Sequence, residues 1–204
     1  IDLLENAPDL SAQSYKKYAP EQDSALERAF AHTKTVRQVL KQEIDLRQAD
    51  EKTLSIPALP EGIYRLTLTS AKAQAVSLVF VVAGETPALN LPPVALAQHA
   101  QYYAGTNAKF LIGAGALGGS KHIELYGDKN FLLGRQTLSG GVSVLSVPVQ
   151  PEHRGGLGLR WFGASQYQMY QQTAFIDVPF DQKQLKVNLT VPPAQQPAQQ
   201  TRWS

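Results

Sequence analysis

A period of two constrains this chain more than any other feature. Beyond Thr33, apolar side chains recur at every second residue in short runs. Such residues share one face only in an extended strand. In GIYRLTLTS (62–70), Tyr64, Leu66 and Leu68 fall on one face, and Arg65, Thr67 and Thr69 on the other. In VSLVFVV, Val76, Leu78, Phe80 and Val82 align; the run VSLVFVVAG is the longest apolar one and predicts a buried strand. Ile44 with Leu46, and Leu54 with Ile56, give two earlier candidates. Phe110 with Ile112, Ile123 with Leu125, Val142 with Val144, then Leu157, Leu159 and Trp161, and Ala174, Ile176 and Val178 continue the series. QLKVNLTV (184–191) is a further strand, followed by the low-complexity PPAQQPAQQ. Short alternating strands broken by Gly, Asp and Asn predict a mainly β protein of antiparallel β-sandwiches.

The first 32 residues read differently. Ser11 is a good N-cap and Pro20 a stop, and Leu26, Ala29 and Phe30 recur at helical spacing, so one or two short helices are expected here. GETPALNLPP (84–93) is Pro-rich and reads as an interdomain linker.

Composition removes several function classes. The 204 residues carry 19 basic and 17 acidic side chains, a net charge of +2, so no basic field invites a nucleic acid. Cysteine is absent, which rules out disulfides, thiolate metal sites, cysteine nucleophiles and thioesters within these residues. No apolar run reaches the ~18 residues of a membrane span. The opening IDLLENAPDL has neither the basic nor the apolar region of a signal peptide, and none is expected in it.

The candidate motifs each have a plainer reading. GAGALG (113–118) fits G-x-G-x-x-G, but the alternating SKHIELYGDKNFLLG follows it where a dinucleotide site needs a helix. A mobile turn that binds no nucleotide is expected. His32, His99, His122 and His153 are scattered singly, without metal-ligand spacing. Ser14 and Lys17 form S-x-x-K without the rest of a penicillin-binding signature. Asn188–Thr190 is a glycosylation acceptor only in a eukaryotic secretory host. SQYQMYQQT predicts a solvent-facing hairpin. PEHRGGLGLRWF (151–162) holds a single Arg-Gly-Gly that runs straight into a patterned strand. It reads as a turn opening a core strand, with Leu157, Leu159 and Trp161 inward, because Gly155 and Gly156 permit positive φ. No catalytic, cofactor-binding or metal-binding residue is expected.

The same stretch carries a resemblance. Arg154-Gly155-Gly156-Leu157, then Val178-Pro179-Phe180, then Lys183, Leu185 and Lys186, resemble a stretch of the bacterial alpha-2-macroglobulin family. Phe180 stands where that family usually has Trp, and Leu157 where it has Phe. LPEGIYRLTLTS resembles the family's L-x-x-G-Y-Y-x-L strand, and AQHAQYYAGTNAKFLIGA its Y-x-P-G-x-x-x-x-L-x-I-G opening, with Ala104 in place of Pro. LSAQSYKKYAP resembles an insertion seen in some members.

The resemblance implies tandem macroglobulin-like β-sandwiches. Residues 1–32 would be a helical insertion or leader, and 33–86 a first sandwich short of its opening strands. Residues 87–183 would be a second sandwich, and 184–204 the first strand and loop of a following domain. It further implies a non-catalytic frame fragment of a protease-trapping inhibitor in the periplasm or outside the cell. Its partners would be neighbouring domains of the parent chain, with proteases as the parent's targets, no nucleic acid and no membrane insertion. The rival expectation is an extracellular adhesin or carbohydrate-binding sandwich using Tyr167, Tyr170 and Trp161.

Overall fold

Backbone pairing across the chain follows the period-two runs. The computed structural model describes residues 1–8, 25–43, 56–71 and 73–180. Among them are strands β1 (Asp2–Leu4), β2 (Thr35–Gln38), β3 (Gly62–Ser70), β4 (Ala73–Val82), β5 (Val94–Ala97), β6 (Asn107–Gly113) and β7 (Lys121–Tyr126). β8 (Leu132–Leu138), β9 (Val142–Pro148), β10 (Leu157–Ser165) and β11 (Gln168–Ile176) complete the set, and α1 (Ala25–Phe30) is the α-helix among the described residues. They form three antiparallel sheets, ordered β2-β1-β3-β4, β5-β6-β9 and β11-β10-β7-β8. The protein is mainly β.

The second and third sheets face each other. Ala108, Phe110 and Ile112 of β6 and Val147 of β9 meet Ile123 of β7, Leu157, Leu159 and Trp161 of β10, and Ile176 of β11. Trp161 is fully buried and its indole N–H donates to the Val94 carbonyl at 2.6 Å, which ties β10 to β5 across the sandwich. The Arg-Gly-Gly turn reads out as expected. Gly155 and Gly156 have φ of +100° and +144°, and a Cβ on Gly156 would lie 2.1 Å from the Phe175 ring. Arg154 folds back, donating to the Pro151 carbonyl at 3.3 Å.

The other face of β6 is covered too. Leu111 joins Val94, Leu91 and Leu89 in a second core with Leu4, Leu26, Ala29, Phe30, Ile63 and Val79. The three-stranded sheet is therefore a middle layer, with the four-stranded sandwich partner on one side and α1 and the first sheet on the other. Leu26, Ala29 and Phe30 give α1 its apolar stripe. Arg65 of β3 donates to the carbonyls of Phe30 and Ala31 at the end of the helix, where the Phe30 carbonyl also accepts from the Thr33 N–H at 3.3 Å.

Several expectations need correction. The segment 1–32 is not purely helical, because β1 lies in it and pairs with both β2 and β3. The helix expected from Ser11, the strand candidates Ile44/Leu46 and Leu54, and the strand 184–191 lie outside the described residues. The expected linker 84–93 buries Leu89 and Leu91, because each has an apolar neighbour in the second core. Among the described residues the first unit contributes one sheet, and the middle sheet and α1 supply its cover. VSLVFVVAG is not a buried strand along its length: Val76 and Leu78 are 65% and 51% exposed, because that face of the first sheet, Leu68 included, has no covering layer among the described residues.

SQYQMYQQT makes the expected hairpin. β10 and β11 pair from Leu157↔Ile176 to Ser165↔Gln168, leaving Gln166 and Tyr167 as a two-residue turn with φ of 50° and 62°. Both conformations are left-handed, as the favoured hairpin turn requires, and neither residue is one that adopts them cheaply.

These contacts lead to three stability predictions. Trp161→Ala should lower unfolding free energy by about 3–5 kcal/mol, the usual cost of a large core truncation. Trp161→Phe, which keeps a ring but removes the indole N–H that reaches the Val94 carbonyl, should cost about 1 kcal/mol for the lost bond. Tyr167→Gly should stabilise by roughly 1 kcal/mol through relief of left-handed strain. Urea midpoints measured on the three variants check all three values, and an unchanged midpoint in Trp161→Ala would refute the inward placement.

Candidate functional site

The outward face of the four-stranded sheet gathers the densest polar chemistry among the described residues. Alternation sends Ile123 and Leu125 of β7 inward and His122, Glu124 and Tyr126 outward. Register then decides what meets Glu124: Arg135 of β8 is directly opposite on one side and Arg160 of β10 on the other. Glu124 Oε1 accepts from Arg135 Nε at 3.1 Å. Its Oε2 accepts from Arg160 Nε at 3.1 Å, from Arg160 Nη2, and from the Tyr126 hydroxyl at 2.5 Å. Arg160 also donates to the Tyr126 hydroxyl oxygen at 2.8 Å, and its guanidinium lies 5.4 Å from the centre of that ring.

The two arginines roof the carboxylate. Glu124 is 6% exposed although its strand face points to solvent. The Tyr126 hydrogen bond, then the Arg160 and Arg135 bonds, hold its carboxyl down at about 2 against the opposing effect of burial. The same bond to Glu124 pushes the Tyr126 phenol up, and Glu124 likewise raises Arg160. A carboxylate and a phenol moved away from neutrality in opposite directions make poor proton shuttles at pH 7. The network is a charge-assisted clamp across three strands.

Beside it, His122 and Thr137 face each other across β7 and β8, with Nδ1 3.1 Å from the hydroxyl. The imidazole also stacks near Phe162, centroid to centroid 5.4 Å. These residues, with Glu124, Arg135 and Gln136, line an open depression of about 390 Å³. A hydroxyl beside an imidazole is half of a nucleophilic pair, but the other half is a group orienting the base. Among the described residues no carboxylate bonds the second ring nitrogen of His122.

The sequence candidates disperse. GAGALG leads into strand β7, not into the helix that a dinucleotide site needs. The loop is not the mobile turn expected: Ala114 and Leu117 are buried, and Gly115 N–H donates to the Leu91 carbonyl at 2.8 Å. Asn90 approaches so closely that a Cβ on Gly115 would lie 2.1 Å from its Oδ1. The His99 ring lies tilted against Tyr102, centroids 5.5 Å apart, and His153 Nδ1 accepts the Gln150 backbone N–H at 3.1 Å. His32 is exposed. Among the described residues no three metal-ligating side chains gather, and no helix is long and apolar enough to cross a membrane. Ser14, Lys17 and Asn188–Thr190 lie outside the described residues. The aromatic platform of the adhesin reading loses Trp161 to the core, keeps Tyr167 fully exposed and has Tyr170 half-buried.

A further buried cation escaped the sequence reading. Lys121 sits on the inward side of β7, fully buried, and donates to the carbonyls of Ser139 at 2.7 Å and Gly141 at 2.9 Å. Burial pushes its ammonium below the usual lysine range. It closes the corner between β8 and β9.

Comparison of the chain with known protein families gives no match, and comparison with curated proteins gives none.

The clamp predicts a pH signature. Glu124 has a folded pKa below its unfolded value, so its contribution is fully present above about 4.5 and is lost as pH falls toward about 2. Thermal melts across that window should show the unmodified chain losing more stability than Glu124→Gln, with parallel curves above it. Parallel curves throughout would show that the clamp does not hold in solution.

Proposed function

We propose that the chain is a non-catalytic frame piece of a bacterial alpha-2-macroglobulin-like protease-trapping protein of the cell envelope. The observation that carries this reading is the seating of the resembling segments. LPEGIYRLTLTS supplies β3, AQHAQYYAGTNAKFLIGA leads into β6, and Arg154-Gly155-Gly156-Leu157 opens β10, all packed around two adjoining cores. Val178, in the Val-Pro-Phe segment, is fully buried against the same sandwich.

The mechanism is mechanical. Layers that share cores move as one body, and a protease cut elsewhere in the parent would reposition them as a unit. The covalent step of such a trap needs a thioester, and these residues hold no Cys. Neighbouring domains of the parent are then the direct partners, and proteases are targets of the whole.

Trypsin or elastase mixed with the chain should stay as active on a large protein substrate as on a small peptide. Selective loss of activity on the large substrate, or an adduct that survives boiling in detergent, would place trapping chemistry within these residues and overturn the reading. The adhesin reading is favoured only by exposed Tyr167, Met169 and Phe175. Glycan-array binding lost on Tyr167→Ala would replace the frame with it.

A further inference from the structure

The far half of the β3–β4 hairpin is the least explained surface of the molecule. Leu66 pairs with Leu78, and Leu68 with Val76, so the four side chains share one face. Leu68, Val76 and Leu78 are each more than half exposed there. β4 is also a sheet edge among the described residues, ten residues long, and from Ala73 to Gly84 it has no charged residue and no proline.

Most other edges are guarded or short. β2 has four residues and carries Arg37. β5 has four and follows Pro92–Pro93. β8 carries Arg135 and β9 ends in Pro148. β11 shares with β4 the lack of charge and proline, but the bridge from Asp177 to Gln101 closes one of its ends, and its exposed Met169 and Phe175 stand six residues apart. Proteins usually blunt an edge with charge, proline or brevity, and β4 uses none of these.

We propose that β4 pairs antiparallel with β4 of a second copy of this chain, about a two-fold axis through Ser77. Directly opposite residues of antiparallel strands share a face. Centring on Ser77 sets Val76 against the partner's Leu78, and the reverse. Each cross-strand row then reads Leu68, Val76, the partner's Leu78 and the partner's Leu66. Two such rows join the exposed apolar strips of both copies into one. A heterologous partner would be selected by charge or by a shaped pocket, and this strand offers neither. A strand without charges meets its own copy without repulsion, and its free backbone groups are complementary to themselves in the antiparallel sense. This association is independent of the frame role proposed above.

The lack of native cysteine gives a clean test on the full 204-residue chain. Opposite antiparallel Cα atoms lie about 4.5 or 5.5 Å apart, within disulfide reach. Ser77→Cys should therefore form a disulfide-linked dimer under mild oxidation. Ala73→Cys should not, because its own copy would sit eight residues away along the strand, about 26 Å. Sedimentation equilibrium should show the unmodified chain dimerising. The Val76→Lys, Leu78→Lys double variant should bind itself at least about tenfold more weakly, with unchanged circular dichroism because both side chains are already exposed. A chain that stays monomeric at high micromolar concentration would overturn the proposal. So would a dimer that Ser77→Cys does not crosslink, one that Ala73→Cys crosslinks equally well, or undiminished association of the lysine variant.

Discussion

The architecture depends on one sheet being apolar on both faces. β6 is flanked by β5 and β9, and its odd and even positions go to different cores: Phe110 and Ile112 to one, Leu111 to the other. A sheet with one solvated face alternates apolar and polar residues, whereas a sheet covered on both faces does not. KFLIG is the second kind of sequence. Once Leu111 must be buried, something has to cover it, and α1 with the first sheet does so. The buried Leu89 and Leu91 follow from the same demand, since the segment between β4 and β5 runs beside that core. Trp161 then fixes the other side, its indole N–H reaching the carbonyl of Val94, a residue whose own side chain points into the opposite core.

The strand pattern made much of this legible, and the failures share a cause. Alternation correctly oriented Leu157, Leu159 and Trp161, and the Gly155-Gly156 turn before them. It passed over β8 and β5 because Leu-Leu-Gly-Arg-Gln-Thr-Leu and Val-Ala-Leu-Ala lack a clean polar-apolar contrast. It took VSLVFVV as interior because an apolar strand has the same sequence whether its neighbour is present or not. Position within a sheet is a long-range property, and period-two reasoning sees only one strand at a time. The helical reading of 1–32 missed β1 for a similar reason: three residues are too few to show a period, and only pairing with β2 and β3 makes Asp2–Leu4 a strand.

The clamp was invisible for a different reason. Glu124, Arg135 and Arg160 are separated by 11 and 36 residues along the chain. Each alone looks like a solvated polar residue on the outer side of a strand. Their convergence is set by the β8–β7–β10 register, and a one-residue slip of either neighbour would send its arginine to the core face. The signal that could have found it is weak but physical. HIELY and GLRWF each place one charge at an outward position flanked by inward apolar residues, whereas Arg135 sits between Gly134 and Gln136. Opposite charges in such positions favour adjacent strands. The clamp thereby helps specify the register that the core alone would accept only in one of its two parities.

The two outer surfaces of the stack consequently differ in kind. On the outer face of the β11-β10-β7-β8 sheet, the polar groups around Glu124 satisfy one another, with Met169 and Phe175 exposed toward its β11 edge: Glu124 uses both oxygens, and the arginines that flank it face water with their remaining donors. Covering that face with another protein would desolvate a nearly satisfied network for little return. On the first sheet, Leu68, Val76 and Leu78 stay in water beside an edge whose backbone groups have no strand partner among the described residues. Covering that face removes apolar surface and pairs backbone groups at once, so both main driving forces of association act there in the same direction. The frame role proposed above would call for this asymmetry. The middle sheet is buried on both faces, the clamp holds polar groups on one outer face, and the β3–β4 hairpin leaves an apolar strip beside an edge on the other.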